Sequence, residues 1–400
     1  MKFKNCFVRT TVILLIPILL TSVFCLTAFA EAVPINENPD ATVEPVKDVL
    51  DLNCKSAILM EANTGRVIYE QNPDEALPPA SVTKVMTLLL VMEAIEDGKI
   101  KLDDTVTTSE RAASMGGSQI YLEVGEEMSV EDMLKSVIIA SANDAACALA
   151  EFVAGSETAF VKAMNDRAAE LGMTKTNFEN TNGLDDTATN HLTSARDIAI
   201  MSRELIKYEK ILEYSGTWMD TVRNGLFGLT NTNRLVRYYN GCTGLKTGST
   251  SKAGFCVSAT AVRDGVSLIC VIMGAESGDE RNKAATSLLD WGFANYGVYR
   301  HEAQQLEQIK VAGGMVDKIS VSYDSFSLIT EKSNVGKIQY KIELPEVISA
   351  PVSDQDKIGD VIFTLDGKEI GRAPITASES VGKITFAELW LRILGRFLLK

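Results

Sequence analysis

The chain has 400 residues, 46% of them hydrophobic and 23% charged, and carries a net charge of −14. This composition is globular rather than disordered, and the length allows two or three domains with ample core. An acidic balance leaves no broad basic footprint, which excludes nucleic acid as a partner.

The first segment reads as a targeting signal. Lys2, Lys4 and Arg9 precede the apolar run Thr11–Leu20, and Ala28-Phe29-Ala30 fits a small-residue cleavage site. Residues 1–30 are therefore expected to be a secretory signal peptide rather than a retained anchor. Cleavage removes three positive charges and no negative one, and takes Cys6 and Cys25 with it. Cys54, Cys147, Cys242, Cys256 and Cys270 remain, an odd number in mostly apolar surroundings, which reads as packing rather than a disulfide framework. A two-residue turn at Asp264-Gly265 would set Cys256 opposite Met273, so Cys256 and Cys270 would not face each other.

Residues 31–47, with Pro34, Pro39 and Pro45, read as an extended leader. A hairpin follows, Ser56–Met60 and Arg66–Tyr69 around Asn63-Thr64-Gly65. Next comes Pro79-Ala80-Ser81-Val82-Thr83-Lys84 and a run, to about Asp97, that is apolar on most sides and so reads as a buried helix starting at Ser81. Residues 101–160 are expected to be mainly helical. Ser129-x-x-Asp132 opens one helix, which ends at Ser141-Ala142-Asn143-Asp144, where a second begins. More helix is expected over Thr158–Leu171 and from Ser194 to about Tyr208, on either side of a polar loop at 176–191. Phe255–Val262 and Val266–Met273 read as consecutive antiparallel strands, with Lys246-Thr247-Gly248 at the start of the first, and Lys283–Tyr296 as a closing helix.

Strands, helices, strands and a helix in that order predict an α/β (α+β) domain over 48–298: one antiparallel sheet whose first and last strands meet, with a helical region inserted. Short alternating runs over 299–377, with a hairpin turn at Asp366-Gly367, predict a small all-β domain, suited to be a spacer or a docking surface. Over 381–400, Trp390-Leu391, Ile393-Leu394 and Phe397-Leu398 recur at helical spacing, and Glu388, Arg392, Arg396 and Lys400 form another stripe. Charges inside this stretch exclude a membrane span and predict an amphipathic helix lying in a membrane interface; the alternative is a helix docked on the protein's own surface.

Ser-x-x-Lys occurs at Ser81, Ser249 and Ser380, so the pattern alone is weak, and a capping serine with a snorkelling lysine explains it as well. Context separates the first. Ser81 and Lys84 share a helix face, and an ammonium in an apolar helix loses hydration, which favours the neutral, basic form. A serine can then be activated without histidine. Ser81-x-x-Lys84, Ser141-x-Asn143 and Lys246-Thr247-Gly248 also follow one another in the order known for penicillin-interacting serine enzymes.

With these motifs the chain resembles the serine-type D-alanyl-D-alanine carboxypeptidases among the low-molecular-mass penicillin-binding proteins. The likeness runs through Asn182-Gly183-Leu184-Asp185, Trp291-Gly292-Phe293, Ala350-Pro351-Val352 and the amphipathic tail. Ala142 stands where Gly or Asp is often found, and Ser249 where some members have His. The resemblance implies a β-lactamase/transpeptidase-like fold and removal of the terminal D-alanine from peptidoglycan pentapeptide through a Ser81 acyl-enzyme. It implies Lys84 as base, Ser141 as proton relay, and Asn143 orienting substrate and Lys84. Lys246, Thr247 and Arg281 would bind the substrate carboxylate, and the N–H groups of Ser81 and Ser249 would form the oxyanion hole. No cofactor or metal is implied. The expected partners are the stem peptide, β-lactams as inhibitors and a membrane surface, with the protein exported and attached to the outer face of the cytoplasmic membrane.

Rival readings are a class A-like β-lactamase, for which Glu179 would have to activate water, and a catalytically silent wall-binding relative. A zinc carboxypeptidase or a Ser-His-Asp hydrolase would have only His191 and His301 to draw on.

Overall fold

Every residue of strand β1 (Ser56–Glu61) is buried, so this strand must be covered on both faces. Its side chains alternate: Ile58 and Met60 enter one apolar cluster with the inserted helices, and Ala57 and Leu59 enter a second cluster behind the sheet. The computed structural model describes residues 50–186 and 188–398. The expected signal peptide at 1–30, with Cys6 and Cys25, the leader at 31–47 and Leu399-Lys400 of the tail lie outside the described residues.

Strands β2 (Val67–Gln71), β3 (Cys242–Thr250), β4 (Gly254–Arg263) and β5 (Val266–Ala275) complete an antiparallel sheet in the order β2-β1-β5-β4-β3. The first and last parts of the domain do meet, with Leu59 opposite Cys270. One expectation fails here. Lys246-Thr247-Gly248 does not open the strand beginning near Phe255 but lies inside its own edge strand, Lys246 opposite Ser258. Glycine at 241, 244 and 248 weakens the strand signal, while an edge position tolerates it. The β4–β5 register also differs: it shifts between Phe255 and Val257, so Cys256 sits at the irregularity instead of opposite Met273. Cys256 packs in one cluster and Cys270 in the other, and the five described cysteines are free.

The inserted region holds α1 (Lys84–Glu96), α2 (Val130–Ile139), α3 (Asn143–Ala154), α4 (Glu157–Glu170) and α5 (Ala195–Leu205). Ser129, Ser156 and Ser194 each accept a backbone N–H three residues on, so these three helices begin where serine satisfies an orphan donor. A small strand pair at Thr105–Thr107 with Glu127–Ser129 interrupts the expected helical region, and a second joins Met219–Val222 with Phe227–Thr230. Behind the sheet lies α6 (Gly278–Asn295), which starts five residues before the expected Lys283. Ser277 accepts from the Glu280 N–H at 3.1 Å. Ser277-Gly278-Asp279-Glu280 is a readable capping signature that the apolar pattern outweighed.

The β-rich region starts at Tyr296–His301, three residues before the expected boundary, and Val381 still belongs to its core. Its core is separate and mostly aliphatic, with aromatic rings at one side: Phe363, wholly buried, stacks on Phe326 with ring centroids 4.0 Å apart. Helix α7 (Phe386–Leu398) begins five residues after the expected 381. Trp390, Leu391 and Leu394 are exposed on it, while Arg392 pairs with Asp317 of the β-rich region at 2.9 Å. Among the described residues no helix is long and apolar enough to cross a membrane.

Because the β-rich core is its own cluster, Phe363→Ala should cost about 3–5 kcal/mol locally. Calorimetry should then show a lowered transition for the β-rich region with the sheet domain's transition unmoved; loss of both together would show that the two cores fold as one.

Candidate active site

The site begins with a strained turn. Pro79 leads into Ala80, whose φ of +49° is left-handed, a conformation that costs a non-glycine residue about 1–3 kcal/mol. Ala80–Thr83 is a 3₁₀ turn, and the α-helix starts only at Lys84. Ser81 therefore does not cap a helix, as its position suggested. Its hydroxyl lies 2.9 Å from Lys84 Nζ.

Lys84 is wholly buried at the head of α1. Besides Ser81, Nζ reaches Asn143 Oδ1 at 2.5 Å and the Asn182 carbonyl at 2.9 Å. Two of its three partners can only accept. A neutral amine gives one hydrogen to each and turns its lone pair to the Ser81 hydroxyl, which then donates to it. Burial, then the Lys246 charge, hold the Lys84 pKa well below the usual lysine range, outweighing the opposite pull of Asp144.

The junction of α2 and α3 supplies the second motif. Ser141 has φ +62°, and its hydroxyl is buried with no hydrogen-bond partner among the described residues, on the wall of the cleft. Neither Ser141 nor Asn143 caps the helix; Ala142 holds the cap position. Asn143 is spent otherwise. Its Nδ2 donates to the Gly116 carbonyl at 2.6 Å and its backbone N–H to the Ser118 carbonyl at 2.7 Å. The buried Asp144 carboxylate accepts the N–H groups of Ile120 and Leu122, each at 3.1 Å. The loop at 116–122 is thus tied to the helix junction and brings Ser118 to the cleft.

Edge strand β3 forms the opposite wall. A Cβ on Gly248 would lie 2.6 Å from Ser81 N and 2.9 Å from Pro79 O, so only glycine lets the strand run against the Ser81 turn. Buried Lys246 donates to the Thr247 carbonyl at 2.9 Å, and the Thr247 hydroxyl donates to Thr232 Oγ1 at 2.8 Å. Burial, then Arg281, push Lys246 down to about 7. Arg281, in the first turn of α6, is buried and holds Asn282 Oδ1 through Nε and Nη2 at 3.1 and 3.0 Å.

The cleft between these walls measures about 270 Å³ and brings together Ser81, Ser141, Thr247, Ser249 and Arg281. Lys84, Asn143 and Lys246 stand behind its surface. Sequence reasoning missed Ser118, Thr232 and Arg234, which also line it. It missed the Asn182 carbonyl as well, quoted only as part of a family loop. No local signal marks these four; each depends on a loop folding back. Arg281 and Arg234 stand at its edge with Lys246 behind, against one lining carboxylate, Asp279, which is 3.7 Å from Arg234, so the balance at the cleft is cationic on an acidic protein and favours an anionic ligand. Among the described residues no glutamate lines it: Glu179 instead accepts the Thr189 and Asn190 N–H groups at 2.8 and 3.1 Å. Among the described residues no group of His, Cys, Asp or Glu is placed to hold a metal ion.

A serine that follows a strained residue, a desolvated lysine within reach of its hydroxyl and a second hydroxyl on the facing wall have the geometry of a serine acyl-transfer site that uses lysine where other hydrolases use histidine. The comparisons with known proteins narrow the class. The sequence model of the D-alanyl-D-alanine carboxypeptidase family matches residues 41–277, and that of the penicillin-binding protein 5 C-terminal domain matches 298–383. The chain belongs to the D-alanyl-D-alanine carboxypeptidase family and is a serine-type hydrolase of that activity. It is 46% identical over 306 residues to D-alanyl-D-alanine carboxypeptidase DacF of Bacillus subtilis, covering 74% of this chain and 78% of the relative. Penicillin-binding protein 5 of Haemophilus influenzae superposes with TM-score 0.70 at 31% identity, over 86% of this chain and all of that one. Penicillin-binding protein D2 of Listeria monocytogenes, solved in a cefotaxime-bound form, has TM-score 0.57 at 32% identity, over 62% of this chain and 99% of that one.

Lys246 gives a stability test. Its folded pKa is lowered, to about 7, so below pH 7 it is charged folded and unfolded and the full burial penalty is present. The folded state sheds its proton first as pH rises, and the penalty fades between about 7 and the ordinary lysine value of about 10.5. Lys246→Met should therefore raise Tm at pH 6, by an amount that shrinks toward pH 10, while activity is lost. A Tm that falls equally at both pH values would show that Lys246 is not a destabilising charge.

Proposed function

We propose that Ser81 Oγ attacks the carbonyl carbon between the last two D-alanines of a peptidoglycan stem peptide and passes its proton to neutral Lys84 Nζ. The backbone N–H groups of Ser81 and Ser249, on facing edges of the cleft, hold the resulting oxyanion. The C–N bond then breaks. Lys84 returns the proton through the Ser141 hydroxyl to the departing amine, and D-alanine leaves. Water adds to the Ser81 ester, gives its proton to Lys84, and the Ser81 alkoxide leaves and is reprotonated. Asn143 keeps Lys84 oriented. Thr247 and Arg281 bind the terminal carboxylate, and Lys246 contributes positive charge behind them. The observation that carries this reading is the hydrogen bonding of Lys84: two carbonyl acceptors claim its hydrogens and leave its lone pair for Ser81.

A β-lactam presents the same kind of amide beside a carboxylate. After acylation its amine stays tethered, so it slows water's approach and acts as an inhibitor. The cefotaxime- and ampicillin-bound forms of the Listeria relative support this. A β-lactamase reading is not favoured, because among the described residues no glutamate stands at the cleft to activate water.

The purified protein should be labelled covalently by a fluorescent penicillin and should release D-alanine from a pentapeptide. Ser81→Ala should abolish both, and Lys84→Met should slow acylation by about 10³-fold or more. Labelling that survives Ser81→Ala would overturn the assignment of the nucleophile.

The protein acts outside the cytoplasmic membrane, held to its outer face by α7, with the β-rich domain as spacer. This rests on the expected signal peptide and on the apolar face that α7 leaves exposed at Trp390, Leu391 and Leu394. Lys383, Arg392, Arg396 and Lys400 against Glu388 make the tail locally basic on an acidic chain, suited to anionic lipid. Residues 31–400 should cosediment with vesicles of mixed zwitterionic and anionic lipid, and residues 31–382 should stay in the supernatant. Equal sedimentation of the two would assign the contact to another surface.

A further inference from the structure

The left-handed turn at Ala80 directs Ser81 toward the cleft, and a chain of buried hydrogen bonds leads away from it to a residue the reaction does not touch. The Ala80 carbonyl accepts from Thr83 Oγ1 at 2.9 Å. The same hydroxyl lies 2.8 Å from His191 Nε2. Thr83 has one hydroxyl hydrogen, and Ala80 takes it, so the bond to His191 must run from Nε2–H to Thr83 Oγ1. At the other side of the ring, Nδ1 accepts the Glu179 N–H at 3.0 Å. Both bonds require the same form of the ring, neutral with its hydrogen on Nε2.

His191 is buried, with Phe178 edge-on at 5.7 Å. Burial pushes its imidazolium down to about 4, against the weaker opposite pull of Glu179, so the ring stays neutral in neutral solution. Gly183, on the loop that leads to His191, closes the far side. A Cβ there would fall 1.8 Å from Ala80 O, and its φ is +84°. The Ala80 carbonyl is thus fixed between the Thr83 hydroxyl and Gly183. That same loop supplies the Asn182 carbonyl to Lys84.

We infer that His191 is a positioning residue for the nucleophile: through the Thr83 hydroxyl it fixes the Ala80 carbonyl, and with it the turn that aims the Ser81 hydroxyl and N–H. The competing reading is a buried histidine that merely fastens its own loop. The inference rests on Ser81 being the nucleophile. The two readings differ in what Thr83→Val does. This variant keeps shape and burial but deletes the hydroxyl between the loop and Ala80. A fastening role predicts a lower Tm with unchanged chemistry. A positioning role predicts slower acylation in protein that is still folded, because an error of about 1 Å at a reacting group can cost up to about 10²-fold.

The experiment is stopped-flow acylation by fluorescent penicillin, well below each variant's Tm, on the full mature chain with the folded fraction followed by circular dichroism. Thr83→Val should lower the limiting acylation rate by about tenfold or more, with the half-saturating penicillin concentration within about threefold. Thr83→Ser should restore the rate to within about threefold. His191→Gln, which can return an N–H to Thr83, should acylate faster than His191→Leu, which cannot. If Thr83→Val is too unstable to assay, this His191 pair decides. Wild-type rates in Thr83→Val, or equal rates in the His191 pair, would overturn the inference. A wild type that is not labelled would instead overturn the nucleophile itself.

Discussion

Everything in the catalytic domain depends on holding one lysine in a place where its charge is costly. The Lys84 ammonium would leave water for the head of a helix buried on nearly every side, and it does so beside a second buried lysine. The neutral amine removes that cost, and the Asn143 and Asn182 carbonyl oxygens leave it one free lone pair. Basicity and direction are therefore set together, by desolvation and by two acceptors. Neither would suffice alone. A desolvated lysine without acceptors could turn its lone pair away from Ser81, and acceptors in a wet site would favour the ammonium.

Such a site has to be held from several sides, because each constraint carries strain or unmet polarity. Ala80 and Ser141 both adopt left-handed backbone without being glycine, and the Ser141 hydroxyl is buried without a partner among the described residues. Two loops hold these positions. The segment at 116–122 is bound to Asn143 and Asp144, and the segment at 176–192 clamps Ala80, Thr83, Lys84 and Thr87. The sheet adds the third wall, since Gly248 lets an edge strand pass within contact of the Ser81 N–H. Stability is given up for function at each of these points, and at Lys246 as well.

The rest of the chain is built with little reference to this chemistry. The β-rich domain has its own core, and α7 turns much of its apolar surface outward. Charge separates the parts further. The chain is strongly acidic overall, yet the cleft gathers Arg234, Arg281 and Lys246, and the tail is basic. On the proposed reading, an acidic body with two local basic sites draws in a carboxylate at one and an anionic surface at the other without general attraction to polyanions.

The sequence by itself determined the elements with strong periodicity or capping chemistry. These include the hairpin at Ser56, the buried run after Lys84, the serine-capped helices, and the three motifs in family order. It also determined that Ser81 and Lys84 would meet, because residues three apart share a face of any helical turn, 3₁₀ or α. It misplaced Lys246-Thr247-Gly248, since glycines hide an edge strand, and it began α6 late, since its first turn is polar. Only the tertiary structure decided what Lys84 touches besides Ser81, why Gly248 and Gly183 must be glycine, and that Ser118, Thr232 and Arg234 join the cleft. Those facts rest on contacts between residues far apart in the chain, such as Lys84 with Asn182 and Gly248 with Ser81. Local pattern carries no record of such contacts, because what fixes them is the packing of loops against a core rather than the periodicity of any one element.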